Sequence, residues 1–406
     1  MMHLFKKVCA LLVLQLLWLP AAQAQDQGFI YGKLTTVDGK TYTGQIRWGK
    51  EEAYWSDMFN SSKTHNDNLD HLSRSEMKAL KRQSRRRDYG FIKVGNYYSF
   101  EHTFACRFGD IQTIKIAGRN RVELLLKNKM RIKLKGGSND IGATVRVMDK
   151  ELGELAIKWS RIDKVDFMPT PAKLGAKMGN ALYGTVETRK GKFTGIVQWD
   201  HDERLSTDIL NGKSEDGRMK IPFKNIKAIK KHRWGSLVVL RSGREVYLTG
   251  TNDVEDGNRG IIVSHHLFGR VDIDWDDFKK VTFDSKALSG KGYNDYKTPV
   301  MLKGTITTTD KRTLKGNIIY DLDEKLSIEI LDGKIDNLKH QIPFGIIKSI
   351  TPKNRISSEV ELKSGQKMIL GESQDVSDRH TGVIILMDKE NKEYIPWDKV
   401  AKISFE

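Results

Sequence analysis

A nine-residue phrase recurs six times along this chain: apolar, any, aromatic, two of any, apolar, two of any, apolar. Its instances are CRFGDIQTI (106–114), IKWSRIDKV (157–165), IPFKNIKAI (221–229), IDWDDFKKV (273–281), IPFGIIKSI (342–350) and IPWDKVAKI (395–403). The aromatic alternates between Phe108, Phe223 and Phe344 on one hand and Trp159, Trp275 and Trp397 on the other. Successive aromatics lie 51, 64, 52, 69 and 53 residues apart. Short gaps alternating with long ones read as three copies of a two-part unit. Such a chain must satisfy one burial pattern three times, so the six aromatics are expected in its interior.

The flanks repeat as well. Each first half opens on a glycine-led alternating run that carries a second glycine: YGKLTTVDGKTYTGQIRWG from Tyr31, YGTVETRKGKFTGIVQWD from Tyr183, LKGTITTTDKRTLKGNIIYD from Leu302. RLSTDILNGK (204–213) matches KLSIEILDGK (325–334), and VVLRSGREVYL (238–248) matches VELKSGQKMIL (360–370). Each tryptophan is followed eight residues later by Phe167, Phe283 or Phe405. Val271, Ile273 and Trp275 alternate with Arg270, Asp272 and Asp274, the period of a half-buried strand. From Trp275 the spacing changes to three, through Phe278 to Val281, which predicts one 3-10 turn before a closing strand. Ser242 with Gly243, and Ser364 with Gly365, read as hairpin turns; the first copy has Asn128 and Lys129 there. Pro222, Pro343 and Pro396 cannot donate to a ladder and predict edge or outward-facing positions.

This order of strand, hairpin, strand, strand, tight turn and closing strand resembles a small SH3-like or Sm-like barrel. The residues that carry the resemblance are GTVETRKGKFTG and IPFKNIKAI. It covers each half and implies an all-β fold in which each half is a small barrel or sheet. Sm-like proteins would imply RNA binding; their RNA-contacting motifs are not matched, and no binding residue is carried over. A half of roughly fifty residues buries too little to stand alone, so the two halves of a copy are expected to pack together.

Residues 1–24 read as a signal peptide: Lys6 and Lys7, then VCALLVLQLLWL, then AAQA ending at Ala24. Export to the periplasm or exterior is expected. The copies then span 28–168, 182–283 and 300–406, with linkers at 169–181 and 284–299 and an insertion at 64–103 in the first copy. Predicted strands of about 5–7 residues are shorter than a spanning strand requires. Cys9 lies in the signal segment, so Cys106 has no intrachain partner after cleavage and reads as a small buried residue.

The chain carries +17, or +15 without Lys6 and Lys7. That charge favours an anionic partner, with an envelope polymer or an anionic membrane surface as candidates beside another protein. Nucleic acid is not the expected partner of an exported chain. RSEMKALKRQSRRR (74–87) concentrates Arg74, Lys78, Lys81, Arg82, Arg85, Arg86 and Arg87 against one acid, and predicts a short helix or a disordered arm that contacts anions. NYYSF (96–100) follows it as a buried strand or a stacking surface. The acidic turns DHDE (200–203) and DLDE (321–324) read as hairpin tips held in water by charge. His265 and His266 are adjacent on a predicted strand, so their side chains should point apart. GKS at 212–214 lacks the preceding glycine of a phosphate loop, and no G-x-S-x-G or H-E-x-x-H occurs. No catalytic residue, metal site or cofactor is predicted. The favoured function is non-catalytic binding or scaffolding in the cell envelope. The alternatives are an envelope-directed hydrolase, with Asp200, Asp202, His265 and His266 converging between repeats, and a structural spacer without a ligand.

Overall fold

A computed structural model describes residues 26–87, 103–136, 140–285 and 288–406, with side chains of the helix at 74–87 described as far as Leu80. Residues 1–24, read as a signal peptide, and NYYSF lie outside the described residues. The fold is mostly β, in large antiparallel sheets. Stretch I contains β1 (Tyr31–Thr36), β2 (Thr41–Trp48), β3 (Met58–Lys63), α1 (Arg74–Arg87), β4 (Thr103–Arg107), β5 (Ile111–Ile116), β6 (Arg121–Leu126), β7 (Arg131–Lys135), β8 (Val145–Asp149), β9 (Gly153–Ile157) and β10 (Ile162–Phe167). Stretch II contains β11 (Tyr183–Thr188), β12 (Lys192–Trp199), β13 (Ile209–Ser214), β14 (Gly217–Pro222), β15 (Ile226–His232), β16 (Gly235–Leu240), β17 (Glu245–Leu248), β18 (Ile261–His265), β19 (Gly269–Ile273) and β20 (Phe278–Phe283). Stretch III contains β21 (Lys303–Thr308), β22 (Thr313–Ile319), β23 (Ile330–Ile335), β24 (Leu338–Pro343), β25 (Ile347–Pro352), β26 (Ser357–Leu362), β27 (Lys367–Gly371), β28 (Val383–Leu386), β29 (Lys392–Ile395) and β30 (Val400–Phe405).

The halves do not form separate barrels. In stretch I, β1 pairs with β2, β3 with β4, β6 with β7 and β8 with β9, all within one half. The other pairings join different halves: β1 to β10, β2 to β8, β3 to β7, β5 to β6 and β5 to β10. The connection from β5 to β6 is only a tight turn, so these strands must pair as a hairpin, and the edge of β5 that its own half would need is taken. The opening hairpin β1–β2 is then completed by the last three strands of the other half. No closed barrel is found among the described residues; β4 and β9 end the ten-strand sheet. Stretch III repeats this set of pairings. Stretch II repeats it with β13 and β17 reduced to one bridge, Lys213 to Thr249.

The recurring glycines have a steric cause. Gly32 pairs with Gly44, Gly184 with Gly195, and Gly304 with Gly316. A Cβ on Gly44 would lie 1.9 Å from the carbonyl oxygen of Met148; on Gly195, 2.3 Å from that of Ser264; on Gly316, 2.3 Å from that of Leu386. Each hairpin therefore crosses its neighbours too closely for any side chain.

The six aromatics are buried, each at the head of a tight turn into a closing strand. In stretch II, Trp275 lies in a turn closed by Asp277 N–H donating to the Asp274 carbonyl at 3.0 Å. Pro222 and Pro343 end their strands, where the missing N–H costs no ladder bond. The three apolar cores are not isolated. Tyr293 and Tyr296, from the segment read as a linker, and Leu326 and Ile328 of stretch III pack into the core of stretch I. Leu174, Met178 and Ala181, from the other such segment, pack against Phe29, Tyr54 and Leu205. Both segments are therefore mortar between stretches. Stretches II and III also share a sheet, Val271 of β19 pairing with His340 of β24.

Candidate anion-binding surfaces

The basic segment is a helix, which settles the choice between helix and disordered arm for 74–87. Ser73 and Glu76 form a capping box: the Ser73 N–H donates to Glu76 Oε2 at 2.7 Å, and the Glu76 N–H donates to Ser73 Oγ at 3.2 Å. Leu80 is buried against Ile319, Leu322 and Ile384 of stretch III. Structurally corresponding positions are Arg47, Lys50 and Arg146 in stretch I and Gln198, His201 and Ile262 in stretch II. Apolar residues on the outer face of stretch III are thus explained by the helix that covers them. Arg74 and Lys78 remain exposed. Burial, followed by the charges of Lys392 and Lys325, holds the imidazole of His71 below its usual range. Lys325 also donates to Asn68 Oδ1 at 2.9 Å. Cations of stretch III therefore adjoin the start of α1, opposed locally by Asp70. The side chains of Lys81, Arg82, Arg85, Arg86 and Arg87 lie outside the described residues.

A second basic region was missed in the sequence. Residues 217–244 hold nine Lys or Arg and no carboxylate, a longer and sparser run than α1, which carries one acid. Strand alternation disguised it, because apolar residues interrupt the charges. Lys224, Lys227, Lys230, Arg241 and Arg244 are exposed. Lys227 and Arg241 line a surface groove of about 480 Å³ with Thr185, Thr194 and Asp284. Arg241 is engaged there, donating to the carbonyls of Lys224 at 3.0 Å and Asp284 at 3.2 Å.

The acidic turns are not held in water. Asp200, Asp321 and Asp323 are buried. Their three-residue hairpin loops put two consecutive residues at positive φ, Asp200 with His201 and Asp321 with Leu322, and close with Asp202 N–H donating to the Trp199 carbonyl at 3.0 Å and Asp323 N–H to the Tyr320 carbonyl at 2.9 Å. Asp200 accepts from the Arg259 N–H at 2.6 Å, and Asp321 accepts from Gln374 Nε2 at 2.7 Å. The turns face neighbouring segments and stretches, so their carboxylates are spent on structure.

One carboxyl pair recurs beside each turn, buried or half-buried: Glu52 with Asp140, Glu203 with Asp253, and Glu324 with Asp375. Burial, then neighbouring acids, pushes Glu203 up to about 9, and Glu52 and Glu324 well above the carboxylate range. Burial raises Asp140 to about 7 and also raises Asp253 and Asp375. The aspartates are latches. Each accepts the N–H of a strand residue: Asn60 at 2.5 Å, Asn211 at 2.6 Å, Asp332 at 2.7 Å. Their carbonyls accept from Trp48 Nε1 at 2.8 Å, Trp199 Nε1 at 2.8 Å and Tyr320 Oη at 2.5 Å.

The convergence required by a hydrolase is absent for the residues in question. Asp200 lies beside Arg259, before β18, whereas His265 ends β18, about 13 Å further along the strand. His265 and His266 do not point apart: their ring centroids are 4.4 Å apart, because His266 lies beyond the strand in the turn. Among the described residues no group of three His, Cys, Asp or Glu could hold a metal ion. Cys106 is buried, and burial pushes its thiol well above the usual range. No family model matches this chain, and neither the curated proteins nor the solved structures give a match.

Proposed function

We propose that this is an exported, non-catalytic binding or scaffold protein of the cell envelope. It is built from three tandem copies of one unit, each an interleaved pair of SH3-like sheets. Its α1 face meets an anionic partner: an envelope polymer, an anionic membrane surface, or the acidic face of another protein. The supporting observation is the mounting of α1. Leu80 fixes the helix to stretch III, Arg74 and Lys78 stay in water, and Lys325 and Lys392 lie near His71 just ahead of the helix. A cationic surface on a rigid support holds its charges together at little entropic cost.

The test is binding of the mature chain to anionic vesicles and to isolated envelope polymer across a salt series. Arg74→Glu with Lys78→Glu should weaken low-salt binding by about tenfold or more and flatten its salt dependence. An unchanged affinity at every salt concentration would refute the reading.

A further inference from the structure

The turn joining β15 to β16 carries the most exposed large apolar side chain among the described residues: Trp234 is 88% exposed. His232 pairs with Gly235, so Arg233 and Trp234 alone form the tip. Arg233 has φ 50, a left-handed conformation usually left to Gly, Asn or Asp. Behind the tip, Tyr247 lies on the same outer face, its ring 5.8 Å from that of His232 and edge-on to it. Leu237 pairs with both Lys230 and Tyr247 across the sheet. Lys231 is turned inward and donates to the carbonyl of Trp275 at 2.8 Å. The tip thus presents an indole, a phenol ring and the cations Lys230 and Arg233, within the run from 217 to 244 that has no carboxylate.

We propose that this hairpin is a membrane anchor, inserting Trp234 into the interfacial layer of a bilayer with anionic headgroups. Two features favour a bilayer over a polymer chain. The tip is convex, whereas single chains and small ligands are held in concave sites. An exposed indole flanked by cations suits the headgroup boundary, where its ring is buried and its N–H stays hydrated. The related tips lack the combination. Ile356 in stretch III is 70% exposed, yet Arg355 pairs with Asp378 at 2.9 Å and Lys353 with Glu359 at 3.1 Å. Stretch I has Asn120 at this place. The anchor therefore belongs to stretch II and is separate from the α1 surface.

The experiment uses the mature chain with phosphatidylcholine vesicles containing phosphatidylglycerol, and with the same vesicles carrying brominated acyl chains. Trp234→Ala should lower partitioning by about tenfold, while Ile356→Ala should change it less than about twofold. Brominated lipid should quench a component of the wild-type fluorescence that Trp234→Ala lacks. Equal partitioning of Trp234→Ala and wild type would overturn the proposal, as would identical quenching of the two. Binding to soluble envelope polymer that depends on Trp234, without vesicle binding, would overturn the lipid assignment in favour of the polymer. These outcomes are independent of the α1 substitutions, which act on salt dependence.

Discussion

Arg204 of stretch II donates to Asp57 of stretch I, and both side chains are out of water. The guanidinium also lies over the ring of Tyr54, 4.7 Å from its centroid. The other oxygen of Asp57 accepts the N–H groups of Ala53 at 2.7 Å and Tyr54 at 2.9 Å. Asp208 and Glu329 hold their own backbones in the same way. Each takes a cation from stretch I: Arg47 at 2.6 Å for Asp208, Lys63 at 2.6 Å for Glu329. One local turn device has thus been made into three bolts between stretches.

Removing one partner of such a pair leaves a charge without compensation. Asp57→Ala should destabilise the protein by about 3–5 kcal/mol, and adding Arg204→Met should recover the part due to the unpaired guanidinium but not the part due to the Ala53 and Tyr54 N–H groups. Denaturant unfolding of the two single variants and the double variant checks this. Additive losses would show that the pair is not coupled.

The raised carboxyls predict falling stability with rising pH. Glu203 keeps its proton in the folded protein up to about 9, while its ordinary value of 4.5 governs the unfolded chain. Between those values the folded state holds a proton that the unfolded state has released, so stability declines as pH rises through that window. Glu203→Gln should raise Tm at pH 8 and have little effect near pH 4.5. Glu52 and Glu324 act in the same direction, so the slope should be reduced but not abolished. Parallel Tm curves for variant and wild type would sink the argument.

Gly44→Ala, Gly195→Ala and Gly316→Ala each place a methyl against a backbone carbonyl that no rotamer can move away. Each should cost about 3 kcal/mol or more. Comparable losses at all three positions, read from unfolding midpoints, are the expected result. A neutral substitution at any one would mean that the hairpin crossing is looser than described.

Lys129 occupies the left-handed position that Gly243 and Gly365 hold in the other stretches, with φ 68 against 90 and 90. Lys129→Gly should therefore stabilise the protein by about 1 kcal/mol. Gly243→Ala should lose a similar amount. Thermal unfolding of both variants decides it.

The period-two strands, the turn after each aromatic and the recurrence of two glycines in each opening run were legible because each depends on a few neighbouring residues. Phe108 to Trp397 repeat one local geometry, and sequence spacing records local geometry directly. The fate of DHDE and DLDE was not legible, since charge alone reads as exposure. Their burial depends on donors such as Arg259, Asn252 and Gln374, about fifty to sixty residues away along the chain. The outward apolar residues Ile319, Leu322 and Ile384 were a signal for the docking of α1 that could have been read. The Trp234 tip was hidden by its strand context, in which a tryptophan reads as core.

By itself the sequence determined the strand pattern and the six interior aromatics. These follow from backbone sterics and from the alternation of apolar and polar residues, both written within a few positions. Only the tertiary structure decided that the halves exchange hairpins, that segments resembling linkers fill cores, and that the acidic turns become buried junctions. Those outcomes depend on which free strand edge and which cation arrive from distant parts of the chain, and local spacing carries no record of that.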